Sequence, residues 1–236
     1  MEKKGNHSVG RPYYYIYGNS CLIKLIKDFI SLPMKSFYFY AEGKISYIHF
    51  VMKMTGMRII KEDSAAILID IQEKLFPHMA DGDNLRKNCL KLIDGLQALS
   101  VPILVTQQYT KGLGPTIGPI AVRFAEFSFS EKISFSCCDD PGINEKILRL
   151  QRKNIVLFGI EAHVCVLQTC IDLLERDLMP VIVEDCISSR NLNDKRTAVG
   201  RMSREGAVVT TAESLLFELT RQAGSETFKK ISGIVK

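Results

Sequence analysis

From residue 64 onward, short runs of uninterrupted apolar residues alternate with longer segments of helical periodicity. The runs are Ser64–Asp70, Val101–Thr106, Asn154–Gly159, Pro180–Glu184 and Ala207–Thr210, with a shorter strand inside Phe127–Phe135. Between them, Asn84 is placed to cap a helix whose apolar residues Leu85, Cys89, Leu92, Ile93, Leu96 and Leu99 recur at helical spacing. Further helices are expected over Pro141–Leu150, His163–Arg176, Asp194–Arg204 and Ala212–Arg221. A strand that is apolar on both faces must be covered on both, which is the situation in parallel sheets flanked by helices. Right-handed crossovers then predict an α/β fold: a doubly wound, mostly parallel six-stranded sheet with helices on both faces. Such sheets bind ligands beyond the carboxyl ends of their strands, where the strand order switches direction.

The first 56 residues read differently. They hold eight Lys/Arg against three acidic residues, which accounts for the whole formal charge of +5 of the 236-residue chain. Residues 57–236 are therefore neutral overall and carry no bias towards phosphate backbones. The aromatic clusters Tyr13–Tyr17 and Phe37–Tyr40 show no sustained period, and Leu22–Leu32 could form one short amphipathic helix. Met52, Met54 and Met57 lie just ahead of the first regular element. Two regions are expected: 1–56, a disordered leader or an over-extended start, and 57–236, the folded domain. Seven cysteines without a CxxC pair suggest reduced thiols and a cytoplasmic location. Neither a clustered metal-ligand set nor a membrane-length apolar stretch is present in the sequence.

Three chemically complementary residues end up at the predicted ligand rim. Asp70 closes the first apolar run, Lys132 lies in or beside the third strand, and Cys165 follows the fourth. Singly, each has an ordinary explanation: a turn-capping carboxylate, a solvated edge charge, and a small buried hydrophobe. Together they can act. A thiol in the first turn of a helix faces unpaired N–H groups that favour thiolate. An aspartate can take the thiol proton, and a lysine can keep that aspartate ionised.

The segments Leu68-Ile-Asp70-Ile-Gln72, Lys132-Ile-Ser-Phe-Ser136 and Gly159-Ile-Glu-Ala-His-Val-Cys165-Val resemble the isochorismatase-like cysteine hydrolases, in that order. Val105-Thr-Gln-Gln-Tyr109 with Lys111-Gly-Leu-Gly-Pro-Thr116 is similar to the YcaC-related branch. The resemblance spans roughly residues 60 to 215 and implies a catalytic triad of Asp70, Lys132 and Cys165. It also implies a cis peptide at Ile160–Glu161 and an oxyanion pocket formed by the backbone N–H groups of Glu161 and Cys165. The implied reaction is hydrolysis of a small amide through a thioester, in a homo-oligomer, without a cofactor. Metal-dependent nicotinamidases of the superfamily take ligands from the segment after the second strand. Here that segment, Thr106-Gln-Gln-Tyr-Thr-Lys111, offers neither histidine nor carboxylate, so no metal is expected. Gln72, Gln107 and Gln108 either orient the substrate or are hydrogen-bonded loop residues. His163 is expected to support the nucleophile rather than serve as the base, and Cys137 and Cys138 to pack. Two other readings stay open: a nucleic-acid-associated, ribonuclease-like protein, which the neutral body disfavours, and a catalytically idle oligomeric member of the fold.

Overall fold

The structure is a computed structural model and describes residues 37–41, 44–48 and 58–236. Within the first segment, β1 (Phe37–Ala41) and β2 (Lys44–Ile48) pair antiparallel, with Tyr38 opposite Tyr47 and Ala41 opposite Lys44. Both strands are rich in aromatic and β-branched residues, which suits pairing in a ribbon. This hairpin lies in a stretch without sustained periodicity, and the expected Leu22–Leu32 helix lies outside the described residues.

Residues 58–236 form a second compact unit. It runs β3 (Ser64–Ile69), α1 (Gly82–Ala98), β4 (Ile103–Gln108), α2 (Thr110–Leu113), α3 (Gly118–Ala121), β5 (Ser130–Lys132), α4 (Pro141–Arg149), β6 (Asn154–Ile160), α5 (Leu167–Glu175), β7 (Met179–Ser188), α6 (Leu192–Glu205), β8 (Val208–Thr210), α7 (Ala212–Thr220) and α8 (Glu226–Val235). β3 to β8 make one six-stranded sheet in the order β5-β4-β3-β6-β7-β8, and every pairing in it is parallel. The chain winds outward from β3 to β5, returns to the centre at β6 and winds the other way. The direction switch therefore falls between β3 and β6.

The central strands explain why wholly apolar runs were needed. Along β3, Ala66 and Leu68 enter a core under α1 and α7, while Ala65, Ile67 and Ile69 enter the opposite core under α4, α5 and α6. None of the five is exposed. Burying each Leu or Ile contributes about 1.5–3 kcal/mol, so a polar residue in the middle of β3 has no tolerable face.

Element boundaries depart from expectation in several places, β7 among them, which runs on to Ser188 rather than ending at Glu184. α1 starts at Gly82 with Asp81 before it, and Asn84, the expected cap, instead donates from Nδ2 to Asp81 Oδ1 at 2.9 Å. β4 continues to Gln108 because β5 pairs with Thr106–Gln108. Beyond Arg221, α8 begins at Glu226, capped by Ser225, whose Oγ accepts the Phe228 N–H at 3.0 Å, and Ile231 anchors it in the core. Four residues of turn composition after Arg221 hid that helix from a periodicity reading.

Candidate active site

At the switch, the carboxyl ends of four adjacent strands meet. The register sets Gln108 beside Lys132, and the Asp70 N–H reaches the Thr106 carbonyl at 3.3 Å. Ile69 is level with Gly159 across the β3–β6 pair. Asp70 and the Cys165 turn thus flank the switch, while Lys132 comes from two strands away. Two strand spacings amount to roughly 10 Å. Only a long side chain crosses β4 to reach Asp70, and Lys132 does.

The ammonium of Lys132 donates to Asp70 Oδ2 at 2.6 Å, to Gln108 Oε1 at 2.7 Å and to the Ser134 carbonyl at 3.3 Å. Three donors meet three acceptors, so the lysine is fully engaged within the protein. The other Asp70 oxygen accepts the Thr106 hydroxyl at 2.7 Å. Both charged side chains are entirely buried. Burial, the largest single influence, lowers the lysine's affinity for its proton; the charge and hydrogen bond of Asp70, with help from Cys165 and Cys137, together outweigh it and hold the Lys132 pKa above its usual value. Lys132 is therefore a fixed positive charge. Asp70 itself sits at φ 50°, a left-handed conformation that aspartate tolerates better than most residues.

Cys165 does not lie in a regular first helical turn. Ala162–Val166 form a wider π turn that precedes α5. The carbonyl of Glu161 accepts both the Val164 N–H at 3.1 Å and the Val166 N–H at 3.2 Å, so the residues on either side of Cys165 hang from one oxygen. The peptide Ile160–Glu161 is cis. The expected thiolate is not the resting state: burial, and then the charge of Asp70, push the Cys165 thiol up to about 12, against a smaller downward pull from Lys132. A hydrogen bond to Asp70 adds to the upward shift. Desolvation and the facing carboxylate overcome whatever the helix terminus supplies. A neutral thiol beside a carboxylate is poised to give up its proton only as a bond forms.

The three glutamines are committed inside the protein. Gln72 Nε2 donates to the carbonyls of Gln108 (3.0 Å) and Gly114 (2.7 Å), and its Oε1 accepts the Gln108 N–H at 2.7 Å. Gln107 Nε2 donates to Thr116 Oγ1, and its Oε1 accepts from Thr110 Oγ1, both at 3.0 Å. Gln108 holds Lys132 and donates to the Ile133 carbonyl at 2.5 Å. Gln107 and Gln108 make these bonds from the end of β4, and Gln72 from the turn just after β3.

Other groups were not legible in the sequence. Thr106 orients Asp70; its only signal was a hydroxyl at the end of a buried run. Thr169 accepts the Cys137 N–H at 3.0 Å, and Asp172 accepts from Ser136, so the helix that follows Cys165 also grips the loop that follows Lys132. Cys137 and Cys138 are buried in packing. His163 Nδ1 lies 2.9 Å from Ser189 Oγ. Among the described residues, no three His, Cys, Asp or Glu side chains are grouped to hold a metal, and no helix is long and apolar enough to cross a membrane.

Comparison with known proteins places this site in context. The family described as Isochorismatase domain matches residues 64–214. An "Isochorismatase family protein 1B" of Dictyostelium discoideum is 37% identical over 183 residues, which covers 76% of this chain and 89% of that protein. Among solved structures, a MAR1 ribonuclease from Caenorhabditis elegans is 36% identical with a TM-score of 0.71, covering 75% of this chain and 92% of that one. The YcaC gene product of Escherichia coli, described as an octameric hydrolase of unknown specificity, is 23% identical with a TM-score of 0.68, covering 71% and 84% respectively.

Proposed function

Since the chain belongs to the isochorismatase domain family, we propose that it is a cysteine-dependent hydrolase of a small amide, with Asp70, Lys132 and Cys165 as its triad. The observation that carries this reading is the pairing of a fully satisfied Lys132 with Asp70, next to a protonated thiol. In the first half-reaction Asp70 accepts the Cys165 proton while sulfur attacks the carbonyl carbon. Lys132, having no proton to spare, stays charged and stabilises the anion wherever it resides. The backbone N–H groups of Glu161 and Cys165 hold the developing oxyanion. Asp70 then passes the proton to the departing nitrogen, which leaves as ammonia or amine, and a thioester remains. In the second half-reaction Asp70 removes a proton from water as hydroxide adds to the thioester; the adduct collapses, the C–S bond breaks, and Asp70 returns the proton to the departing sulfur, leaving the acid and the restored thiol.

The reading needs no metal and no cofactor. Its substrate is a small molecule, because the triad lies within buried strand ends. We place the enzyme in the cytoplasm, on the grounds of the unpaired thiols among the described residues, and expect a homo-oligomer; the octameric description of the YcaC relative supports assembly for this fold. A panel of small amides assayed by ammonia release tests the proposal. Turnover by the native chain, its absence in Cys165→Ser, and a trapped acyl adduct on Cys165 in mass spectra are expected. Turnover by Cys165→Ser at the native rate would refute it.

The ribonuclease description of the Caenorhabditis elegans relative favours a second reading. RNA binding that weakens steeply with salt in a chain starting at Met57 would support it. The neutral charge of residues 57–236 speaks for the amide hydrolase.

A further inference from the structure

Glu161 precedes the nucleophile by four residues, and its carboxylate is not used by the chemistry above. Its side chain is only 11% exposed and turns towards the loop that follows β7, where Oε2 accepts the Arg190 N–H at 3.1 Å and the Arg190 Nε–H at 3.2 Å. That loop is itself fixed. Ser188 Oγ donates to the Ala80 carbonyl at 2.7 Å, and the Ala80 N–H donates to the Ser189 carbonyl at 3.0 Å. Ser188 also pairs with Ile160 across the sheet, and Ser189 Oγ meets His163 Nδ1. One residue therefore joins two things. Its backbone oxygen suspends the turn that carries Cys165, and its carboxylate fastens that turn to a rigid loop.

An unpaired carboxylate on the residue that also supplies a proposed oxyanion N–H would oppose negative charge developing nearby, and burial makes the opposition stronger. The guanidinium of Arg190 supplies the neutralising charge, while the Arg190 N–H fixes the direction of the carboxylate. We propose that the Glu161 side chain is a positioning residue for the nucleophile turn, clamped by Arg190 so that Cys165 and the adjoining peptide N–H groups stay aimed at the reacting carbonyl. The clamp rests on the reading of Cys165 as nucleophile. The carboxylate is spent on Arg190, so the clamp acts on the chemical step rather than on binding.

The test is steady-state kinetics of amide hydrolysis, normalised to folded enzyme measured by circular dichroism. Glu161→Ala is expected to lower kcat on the order of tenfold to a hundredfold, as small misplacements of reacting groups do, with KM within about twofold of native. Glu161→Gln recovers most of the loss, because its amide oxygen still accepts the Arg190 N–H. Arg190→Ala, in which the exposed side chain is removed and the backbone N–H kept, falls between the two and carries the test if Glu161→Ala does not fold. A purely structural role would lower thermal stability and leave kcat per folded molecule unchanged; that result overturns the proposal. So does a Glu161→Gln variant as impaired as Glu161→Ala. Cys165→Ser separates the two ideas. If it turns over, the nucleophile reading fails and takes the clamp with it. If it is dead while Glu161→Ala and Arg190→Ala keep native kcat, the clamp alone fails.

Discussion

In the proposed triad Asp70 adds to burial in keeping the thiol protonated and also accepts its proton, and these two jobs pull in opposite directions. Its negative charge raises the Cys165 pKa, so Asp70→Asn lowers it, leaving Lys132 to pull the thiol further down. Alkylation of Cys165 by iodoacetamide, followed against pH by mass spectrometry, should therefore show a lower midpoint in Asp70→Asn than in the native chain. Ammonia release should nonetheless fall by about 10²–10⁴-fold, the usual contribution of a positioned base. A midpoint that moves up would mean that Asp70 does not face the thiol. Lys132→Met keeps the length of the stem but strands a buried carboxylate. It should cost about 3–5 kcal/mol in urea denaturation, the typical penalty for removing one partner of a buried pair, and abolish turnover. The three residue types and their place at strand ends were readable from the chain. The neutrality of the resting thiol was not, because its causes, burial and Asp70, lie 95 residues away in sequence or come from the packed core.

At the level of elements, the site depends on how closely two strands approach. Gly159 has φ +123°, and a Cβ there would lie 2.1 Å from the Ile69 carbonyl oxygen and 2.7 Å from the Ile69 nitrogen. Backbone cannot yield as a side-chain tip can. Gly159→Ala should push β6 from β3 where Asp70 and the Cys165 turn emerge, costing several kcal/mol and lowering soluble yield and melting temperature. A melting temperature within about 2 °C of native would show that the strands separate freely. The glycine was visible in sequence as the end of an apolar run. That it adjoins Ile69 depends on strand order, since β3 pairs with β6 rather than only with its sequence neighbour β4. The π turn was equally hidden: helical periodicity marks His163–Arg176 as one helix, and a one-residue widening leaves that pattern nearly intact.

Across the whole molecule, thiols buried as acids make the fold sensitive to alkali. Burial raises Cys137, Cys165 and Cys170 to about 12 and Cys138 to about 11, from an ordinary value near 9.0. Below pH 9 folded and unfolded chains hold these protons alike. Above it the unfolded thiols ionise while the folded ones do not, so stability falls as pH rises from 9 towards 12, at about 1.4 kcal/mol per thiol per pH unit. Lys132 acts in the same direction: its raised pKa lends stability that is complete below 10.5 and is lost as pH rises through the folded value. Urea denaturation in reductant should be level from pH 7.5 to 8.5 and weaken at 9.5 and 10.5, with a shallower slope in Cys170→Ala. Stability unchanged at pH 10.5 would contradict these buried thiols. The sequence by itself determined the alternation of strands and helices, the doubly wound sheet, and the rim where Asp70, Lys132 and Cys165 gather. Apolar periodicity and strand direction are local properties that add along the chain. Only the tertiary structure decided how those residues are held: a lysine whose three donors are all engaged, a thiol that rests neutral, glutamines hydrogen-bonded to neighbouring strand ends and turns, and a glutamate gripped by Arg190. Charge state and hydrogen-bond partner are set by neighbours in space and by the exclusion of water, and neither is written in spacing.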